Sequence, residues 1–385
     1  SQNSGRGDVT TARAYAENSA RLGLVLGLIY GSVLLTMAGP LISLLQVTEP
    51  TVFASACAYL RIVALGIPLT YISAAITGSF NGAGNSRLSF LANATGLIVN
   101  MVLDPLFILV FGWGVQGAAI ATLIAQGVVM SLFIYFAKRH SKRPFDDFRL
   151  FGAFDREKVR QILRWSLPVA VESAAFTMLA MTVTSMISAW YGETAVAVQR
   201  VGSQIESLSW MIAGGFSSAV TAFVGQNFGA RKWERIRRGY RISLAVLLVW
   251  EVFVILAIVL GGRFFFSLFL REPPEILDMG ATYLRILAYS QIFMAFEAAC
   301  SGTFRGLGQT LPPSISSISS NLIRPLLCWF FSQRIGFGLN GLWMGITVSA
   351  AVRGTLMLIW YTIYERRIPA EDGVELEAYQ QATAL

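Results

Sequence analysis

The sequence is poor in charge, in histidine and in cysteine. Asp, Glu, Lys and Arg make up 14% of its 385 residues, whereas soluble domains carry about 25%. It has one histidine and three cysteines, and Cys57, Cys300 and Cys328 show no CxxC spacing. We therefore expect no zinc site and no haem, and we interpret the cysteines as small apolar helix residues.

The sequence also lacks the motifs of the enzymes that work inside membranes. It contains no DxxxD or DDxxD pair for Mg²⁺–diphosphate chemistry and no GxxxxGK[ST] loop for ATP. Prenyl transferases need clustered acids, and a self-contained ATP-driven pump needs the phosphate loop. The sequence thus predicts a protein that is not an enzyme and holds no cofactor.

Long apolar runs are what the sequence has instead. Hydrophobic residues make up 55% of the chain and the mean hydropathy is +0.58. Several runs approach the roughly 20 residues that span a bilayer, which predicts an all-α polytopic membrane protein. We predict ten transmembrane helices, at residues 20–45, 55–80, 88–111, 115–137, 160–190, 196–224, 238–270, 278–304, 312–334 and 339–363.

The basic residues indicate membrane orientation, not nucleic-acid binding. The formal charge is +8. With residue 1 placed inside, twenty of the thirty Lys and Arg residues fall in inside segments and three in outside loops. This asymmetry follows the positive-inside rule, so both ends of the chain are predicted to be cytoplasmic. The basic segment 138–160 is expected to attract anionic lipid headgroups, and we expect no nucleic-acid partner.

The chain repeats itself at an offset of 224 residues. "AYLRIVALGIP" at residue 58 resembles "TYLRILAYSQI" at residue 282, and "GSFNGAGN" at 78 resembles "GTFRGLGQ" at 302. Matching glycines indicate matching backbone geometry, because glycine marks tight turns and close helix contacts. The first members of the seven coinciding pairs are Gly5, Gly78, Gly82, Gly84, Gly112, Gly114 and Gly117.

The offset contains an even number of predicted helices, so the two halves are parallel repeats. We predict an incomplete N-lobe at 1–137 with four helices and an inter-lobe linker at 138–159. A C-lobe at 160–363 has six helices, and a cytoplasmic tail follows at 364–385. The second repeat has two helices more than the first. We therefore expect an N-terminally truncated twelve-helix protein that lacks about 65 residues. Transporters built from such repeats bind substrate between two lobes.

Four segments resemble one known family. "GQNFGARKWERIRRG", "SGTFRGLGQT", "NGAGNSRLSF" and "VNMVLDPLFILVFGWGVQGAAIAT" are similar to the bacterial multidrug and toxic compound extrusion (MATE) transporters, from the family's third helix to its twelfth. The resemblance implies two six-helix lobes, a central cavity and export of organic compounds, often cationic, in exchange for H⁺ or Na⁺. It also implies a multi-pass protein of the bacterial inner membrane, which we expect to be a monomer.

Asp104 and Asn100 are polar residues inside an otherwise apolar helix. A charged side chain at mid-bilayer costs about 2.5–3.5 kcal/mol and often marks an ion or proton path. Asn100 lies four residues before Asp104, on the same helix face, and carboxylate and amide oxygens suit Na⁺. The resemblance points to Asn100, Asp104 and Thr122 as the coupling site for Na⁺ or H⁺, together with a carboxylate on a helix absent here. The alternative is a structural role at the kink of Pro105.

The C-lobe carries its own intramembrane charges. Arg324 and Cys328 occupy the positions equivalent to Asn100 and Asp104, so a second cation site there is not expected. Glu172 and Glu297 are candidates for binding a cationic substrate. The alternative is that the C-lobe acids and arginines form a structural ion-pair network.

Two further interpretations of function stay open. The chain could be a flippase or exporter of lipid-linked glycan precursors, for which Arg200, Arg324 and Arg353 would supply a cationic cavity. The chain as it stands could also insert in a membrane without transporting anything.

Overall fold

The computed structural model describes residues 1–44, 49–140, 143–269, 273–369 and 372. Over these residues the regular structure is helical, without strands. This agrees with the apolar runs, because a backbone in lipid must satisfy its own hydrogen bonds. The chain divides into two compact units, Ser1–Leu163 and Arg164–Leu385. The all-helical polytopic prediction is thus confirmed.

The helices of the first unit begin and end close to the predicted positions, with one exception. The predicted helix 20–45 is instead two helices, a long one at Val9–Thr36 and a short one at Ala38–Ser43. The Asp8 carboxylate caps the long helix by accepting a hydrogen bond from the Thr11 amide at 3.0 Å. Such an N-cap satisfies a donor that has no partner inside the helix. The helices are α1 Gln2–Gly5, α2 Val9–Thr36, α3 Ala38–Ser43, α4 Pro50–Gly82, α5 Ser86–Pro105 with a π-helical turn at Leu106–Val110, and α6 Gly114–Lys138.

A long kinked helix begins in the last residues of the first unit and continues through the second unit, which also contains one broken helix. α7 runs over Arg156–Gly229 and is interrupted at Gly192, whose φ of +79° is an angle that glycine adopts readily. The interruption agrees with the predicted pair of helices at 160–190 and 196–224. The predicted single helix 278–304 is wrong, because it is broken at Tyr289 and Ser290. The remaining helices are α8 Trp233–Ser267, α9 Pro274–Ala288, α10 Gln291–Gly306, α11 Leu311–Trp329 with a π-helical turn at Phe330–Arg334, and α12 Gly338–Glu365.

Seven of the described helices are long and apolar enough to cross a membrane: α2, α4, α5 with its π-helical turn, α6, α7, α8 and α12. α7 supplies two arms, before and after Gly192. α9 and α10 have 15 and 16 residues, each below the roughly 20 that a span needs. The predicted tail at 364–385 lies largely outside the described residues.

The structure reproduces the 224-residue repeat at the level of single turns. The π-helical turns at 106–110 and 330–334 coincide under this offset, as do the starts of α6 and α12. The glycines at 84, 112 and 114 have φ of +85°, +69° and +54°, and their partners at 308, 336 and 338 have +81°, +88° and +58°. Only glycine adopts such angles without steric cost, so the matched glycines dictate the matched turns.

Residues 143–155, which we call the strap, pack against α2. The Arg21 guanidinium donates hydrogen bonds to three strap carbonyls, those of Arg149, Leu150 and Ala153, at 2.8–3.0 Å. Glu17 accepts a hydrogen bond from the Arg149 amide at 3.0 Å. The predicted basic linker is therefore held against its own unit, since Arg21 satisfies backbone acceptors that would otherwise need water.

Candidate functional site

The structure brings together the three residues predicted to couple transport to an ion. The Asn100 amide donates to the Asp104 carboxylate, with Nδ2 and Oδ1 at 3.2 Å, and Nδ2 lies 3.5 Å from the Thr122 hydroxyl. Thr122 also donates to the Ala118 carbonyl at 3.0 Å. All three side chains are half-buried. A carboxylate, an amide and a hydroxyl from two helices therefore form one polar cluster inside the first unit.

The close approach of α6 to the π-helical turn that follows α5 depends on Gly117. A Cβ at Gly117 would lie 2.9 Å from the carbonyl carbon and oxygen of Phe107 in the π-helical turn. Real side chains do not tolerate such contacts with backbone atoms. Gly117 thus lets α6 pack on the turn that follows Asp104, and Thr122 is presented one and a half turns further along α6.

The second unit shows that this turn does not need an aspartate. Its π-helical turn follows Trp329 where the first follows Pro105, and Cys328 occupies the place of Asp104. The backbone bond from the Phe337 amide to the Phe331 carbonyl, at 3.2 Å, repeats that from Trp113 to Phe107, at 3.0 Å. The same geometry forms without a carboxylate at the equivalent position, in a helix whose proline, Pro325, lies four residues earlier than the place of Pro105, which weakens the structural interpretation of Asp104.

The equivalent position in the second unit has different chemistry, as the sequence indicated. The Arg324 guanidinium donates to the Ser349 hydroxyl at 2.8 Å and lies 5.9 Å from the centroid of the Phe176 ring. A guanidinium there repels a cation, so the unit offers no copy of the Asn100–Asp104 pair.

Glu172 and Glu297 each lie beside an arginine. Glu297 contacts the Arg353 guanidinium at 2.5 Å. Glu172 accepts from the Ser314 hydroxyl at 3.0 Å and lies 3.6 Å from the Arg305 guanidinium. An external cation would have to compete with an arginine at either carboxylate, so binding of a cationic substrate there stays a prediction.

A cavity of about 390 Å³ opens beside Glu297 in the second unit. Its walls come from the second arm of α7, from α10 and from α12. Trp210 and Met294 supply apolar surface, and Glu297, Arg305 and Arg353 supply charge. The volume is within the range of small-molecule sites, and the mixed lining suits a compound with both an apolar body and a charged group.

Two further carboxylates are buried in the second unit. Glu206 accepts hydrogen bonds from the Tyr283 hydroxyl at 3.3 Å and the Gln291 amide at 3.1 Å. Glu251 on α8 is fully buried and accepts from the Ser209 hydroxyl at 3.0 Å. Glu251 is not among the site residues predicted from the sequence, although a lone acid within the apolar run of α8 is a visible signal.

The buried acids Glu206 and Glu251 do not belong to a metal-binding cluster of the described residues. Within the described ranges, no three His, Cys, Asp or Glu side chains are grouped so that they could hold a metal ion. The three cysteines are buried and unpaired by disulfides.

Comparison with known proteins agrees with this architecture. The family model described as MatE matches residues 1–106 and 168–330. "Probable multidrug resistance protein NorM" of Thermotoga maritima is 28% identical over 368 residues, which cover 93% of this chain and 77% of that protein. "Probable multidrug resistance protein YoeA" of Bacillus subtilis is 27% identical, over 91% of this chain and 79% of that protein.

Solved structures show the same fold. The crystal structure of MATE in complex with MaD3S superimposes with a TM-score of 0.89 at 25% identity, and covers 95% of this chain and 82% of that one. The transporter from Pyrococcus furiosus described as having a binding pocket of reverse polarity also has a TM-score of 0.89, at 24% identity; at that identity the likeness concerns the fold alone. The family match spans more than two thirds of the sequence, and the chain therefore belongs to the MatE family of multi-pass membrane transporters.

Proposed function

We propose that this chain is a secondary active multidrug efflux antiporter that exports organic compounds in exchange for H⁺ or Na⁺. Its place in the MatE family and its relatives named as multidrug resistance proteins support export of small molecules. The observation that carries ion coupling is the contact of Asn100 with both Asp104 and Thr122.

The cluster is suited to binding and releasing either H⁺ or Na⁺ at one carboxylate, that of Asp104. Asn100 donates a hydrogen bond to the Asp104 carboxylate. Ligation of Na⁺ would require the amide to turn so that its oxygen faces the ion, because oxygen is the ligand that hard cations take. Protonation of Asp104 would instead let the carboxyl donate to a neighbouring oxygen. Both routes use the same residue.

The test is transport by the purified chain in proteoliposomes. The wild type should extrude a dye such as ethidium when a pH gradient or a Na⁺ gradient is imposed, and the effective gradient identifies the ion. Asp104→Asn should lower the initial rate at least about tenfold, since the amide cannot exchange a proton or hold the ion's charge.

Thr95→Val provides the matched control on the same helix. Thr95 is exposed, and its hydroxyl donates to the Leu91 carbonyl of its own helix. This variant should keep transport within about twofold of the wild type. Wild-type rates in Asp104→Asn under both gradients would remove Asp104 from the mechanism.

A further inference from the structure

Another cavity, which we call the strap cavity, lies in the first unit between α4, α6 and the strap. Its volume is about 330 Å³, at the lower end of the range for small-molecule sites. Eight of its ten lining residues are apolar, among them Ile76, Ile134 and Phe148. Ile134 and Phe151, which also lines it, are 43% and 79% exposed. The strap cavity can therefore be reached from outside the protein.

Lys138 and Arg149 are the charged residues of the strap cavity, and both are exposed. The backbone of Arg149 is held on both sides, because its amide donates to Glu17 and its carbonyl accepts from Arg21, each at 3.0 Å. Among the described residues, no carboxylate forms an ion pair with the side chain of Lys138 or Arg149. The lining thus carries two positive charges in fixed places and no negative one.

The strap cavity lies where a membrane-spanning helix ends. α6 is long and apolar enough to cross a bilayer, and Ile134 and Lys138 lie in its last two turns. Charge and apolar wall therefore meet at the level where lipid headgroups give way to acyl chains. The strap adds Phe151 and Phe154, which are 79% and 49% exposed. Exposed aromatic side chains together with basic ones are typical of segments that lie in this boundary.

We propose that the strap cavity binds one anionic phospholipid, with an acyl chain against the apolar walls and the phosphate between Lys138 and Arg149. The inference goes beyond the proposed antiport and does not depend on it. It also goes beyond the general attraction expected of the basic segment, because it assigns one lipid to one cavity. Both cations suit a phosphate, arginine through paired N–H donors and lysine as a point charge.

The charges of the strap cavity favour an anionic headgroup over a zwitterionic one. Phosphatidylglycerol brings a phosphate and one net negative charge, whereas the ammonium of phosphatidylcholine would be repelled by Lys138 and Arg149. A free phosphate would make the same charge contacts but would leave the apolar walls in water. A lipid satisfies both parts of the cavity, so we commit to a phospholipid as the occupant.

Native mass spectrometry of the purified full chain in neutral detergent tests the proposal by counting bound lipids. Dioleoylphosphatidylglycerol and dioleoylphosphatidylcholine have the same acyl chains and differ in headgroup alone. The first bound phosphatidylglycerol should have a dissociation constant at least about tenfold lower than the first bound phosphatidylcholine. Glycerophosphoglycerol, the same headgroup without acyl chains, should bind at least about a hundredfold more weakly than the lipid. Equal affinity for the two lipids, or for lipid and soluble headgroup, would overturn the proposal.

Two double variants that remove the same charge assign the lipid to the strap cavity. Lys138→Gln with Arg149→Gln should weaken phosphatidylglycerol at least about tenfold and phosphatidylcholine by less than about twofold. Arg139→Gln with Arg160→Gln changes two exposed residues that do not line the cavity, and it should bind both lipids as the wild type does. An equal loss of phosphatidylglycerol in the two double variants would show that overall charge alone attracts the lipid, and would reject the site.

Ile134→Trp tests the apolar wall without a change of charge. The larger side chain narrows the strap cavity at a partly exposed position, so phosphatidylglycerol should bind at least about fivefold more weakly. Tyr135→Trp, at an exposed neighbour that does not line the cavity, is the matched control and should bind as the wild type does. Wild-type affinity in Ile134→Trp would place the acyl chain elsewhere and contradict the assignment.

Discussion

Gly117 of α6 lies against the backbone of Phe107, so closely that a Cβ would sit 2.9 Å from the Phe107 carbonyl. The same relationship holds 224 residues later, where a Cβ on Gly341 would lie 2.4 Å from the Phe331 carbonyl oxygen. In both units the absence of a side chain allows a helix to pack on the preceding π-helical turn. In the first unit this packing also holds Thr122 near Asn100.

We predict that Gly117→Ala destabilises the protein by about 1–3 kcal/mol, the usual cost of overpacking, and that Gly341→Ala has a larger effect. Thermal unfolding of the purified variants measures both. Gly127 on the same helix is the control, because nothing lies within 4 Å of its added Cβ; Gly127→Ala should raise stability by about 0.5–1 kcal/mol. Equal melting temperatures for Gly117→Ala and Gly127→Ala would refute the packing role.

We predict that removing Arg353 alone destabilises the protein more than removing both charges of the Arg353–Glu297 ion pair. Arg353→Met leaves the Glu297 carboxylate without its partner and should cost about 2–4 kcal/mol, somewhat below the value for fully buried pairs because Glu297 is partly exposed. The double variant Arg353→Met with Glu297→Gln should regain about half of that loss, since the unpaired charge is gone. A double variant no more stable than the single one would show that the loss in Arg353→Met does not come from the unpaired Glu297 charge.

The strap depends on one buried guanidinium. Arg21→Gln removes the donors to the carbonyls of Leu150 and Ala153 and should lower stability by about 2–3 kcal/mol, because those bonds come from a charged group. Hydrogen exchange at residues 149–155 should rise selectively, while exchange in the core of α4 stays slow. Arg6→Gln, a change of a residue that is exposed, is the matched control. Unchanged exchange in the strap would mean that other contacts hold it.

We predict that the stability contributed by the Asp8 cap at the start of α2 depends on pH. Hydrogen bonding by Thr11 and Thr10 lowers the pKa of Asp8 from 3.8 to about 2. A carboxyl whose pKa is lowered by folding contributes stability above pH 4, and this contribution is lost as the pH falls from about 4 to 2.

Asp8→Ala should therefore be less stable than the wild type at pH 6 and equal to it near pH 2. Asp8→Asn keeps an acceptor that does not titrate, so its difference from Asp8→Ala should not change with pH. Melting temperatures across pH 2–6 measure both, and a constant gap between the wild type and Asp8→Ala would exclude the carboxylate as the cap.

The membrane class, most helices and the repeat follow from the sequence because they depend on local properties. Apolar run length decides which segments can span a bilayer, and glycines at matching positions force matching turns. Asn100 and Asp104 are four residues apart on one helix, so their contact follows from helical geometry alone. The sequence does not predict the helix break at Tyr289 and Ser290, because the residues around it keep a helical pattern and include no proline or glycine.

Tertiary structure alone decided which distant residues meet. Arg353 reaches Glu297, Arg305 reaches Glu172, and Arg21 reaches the strap. Composition indicated that the acids and arginines of the second half could pair, but not in which combination. The pairing depends on the rotation of each helix about its axis, which packing against neighbouring helices sets. Residue spacing along the chain carries no information about that rotation.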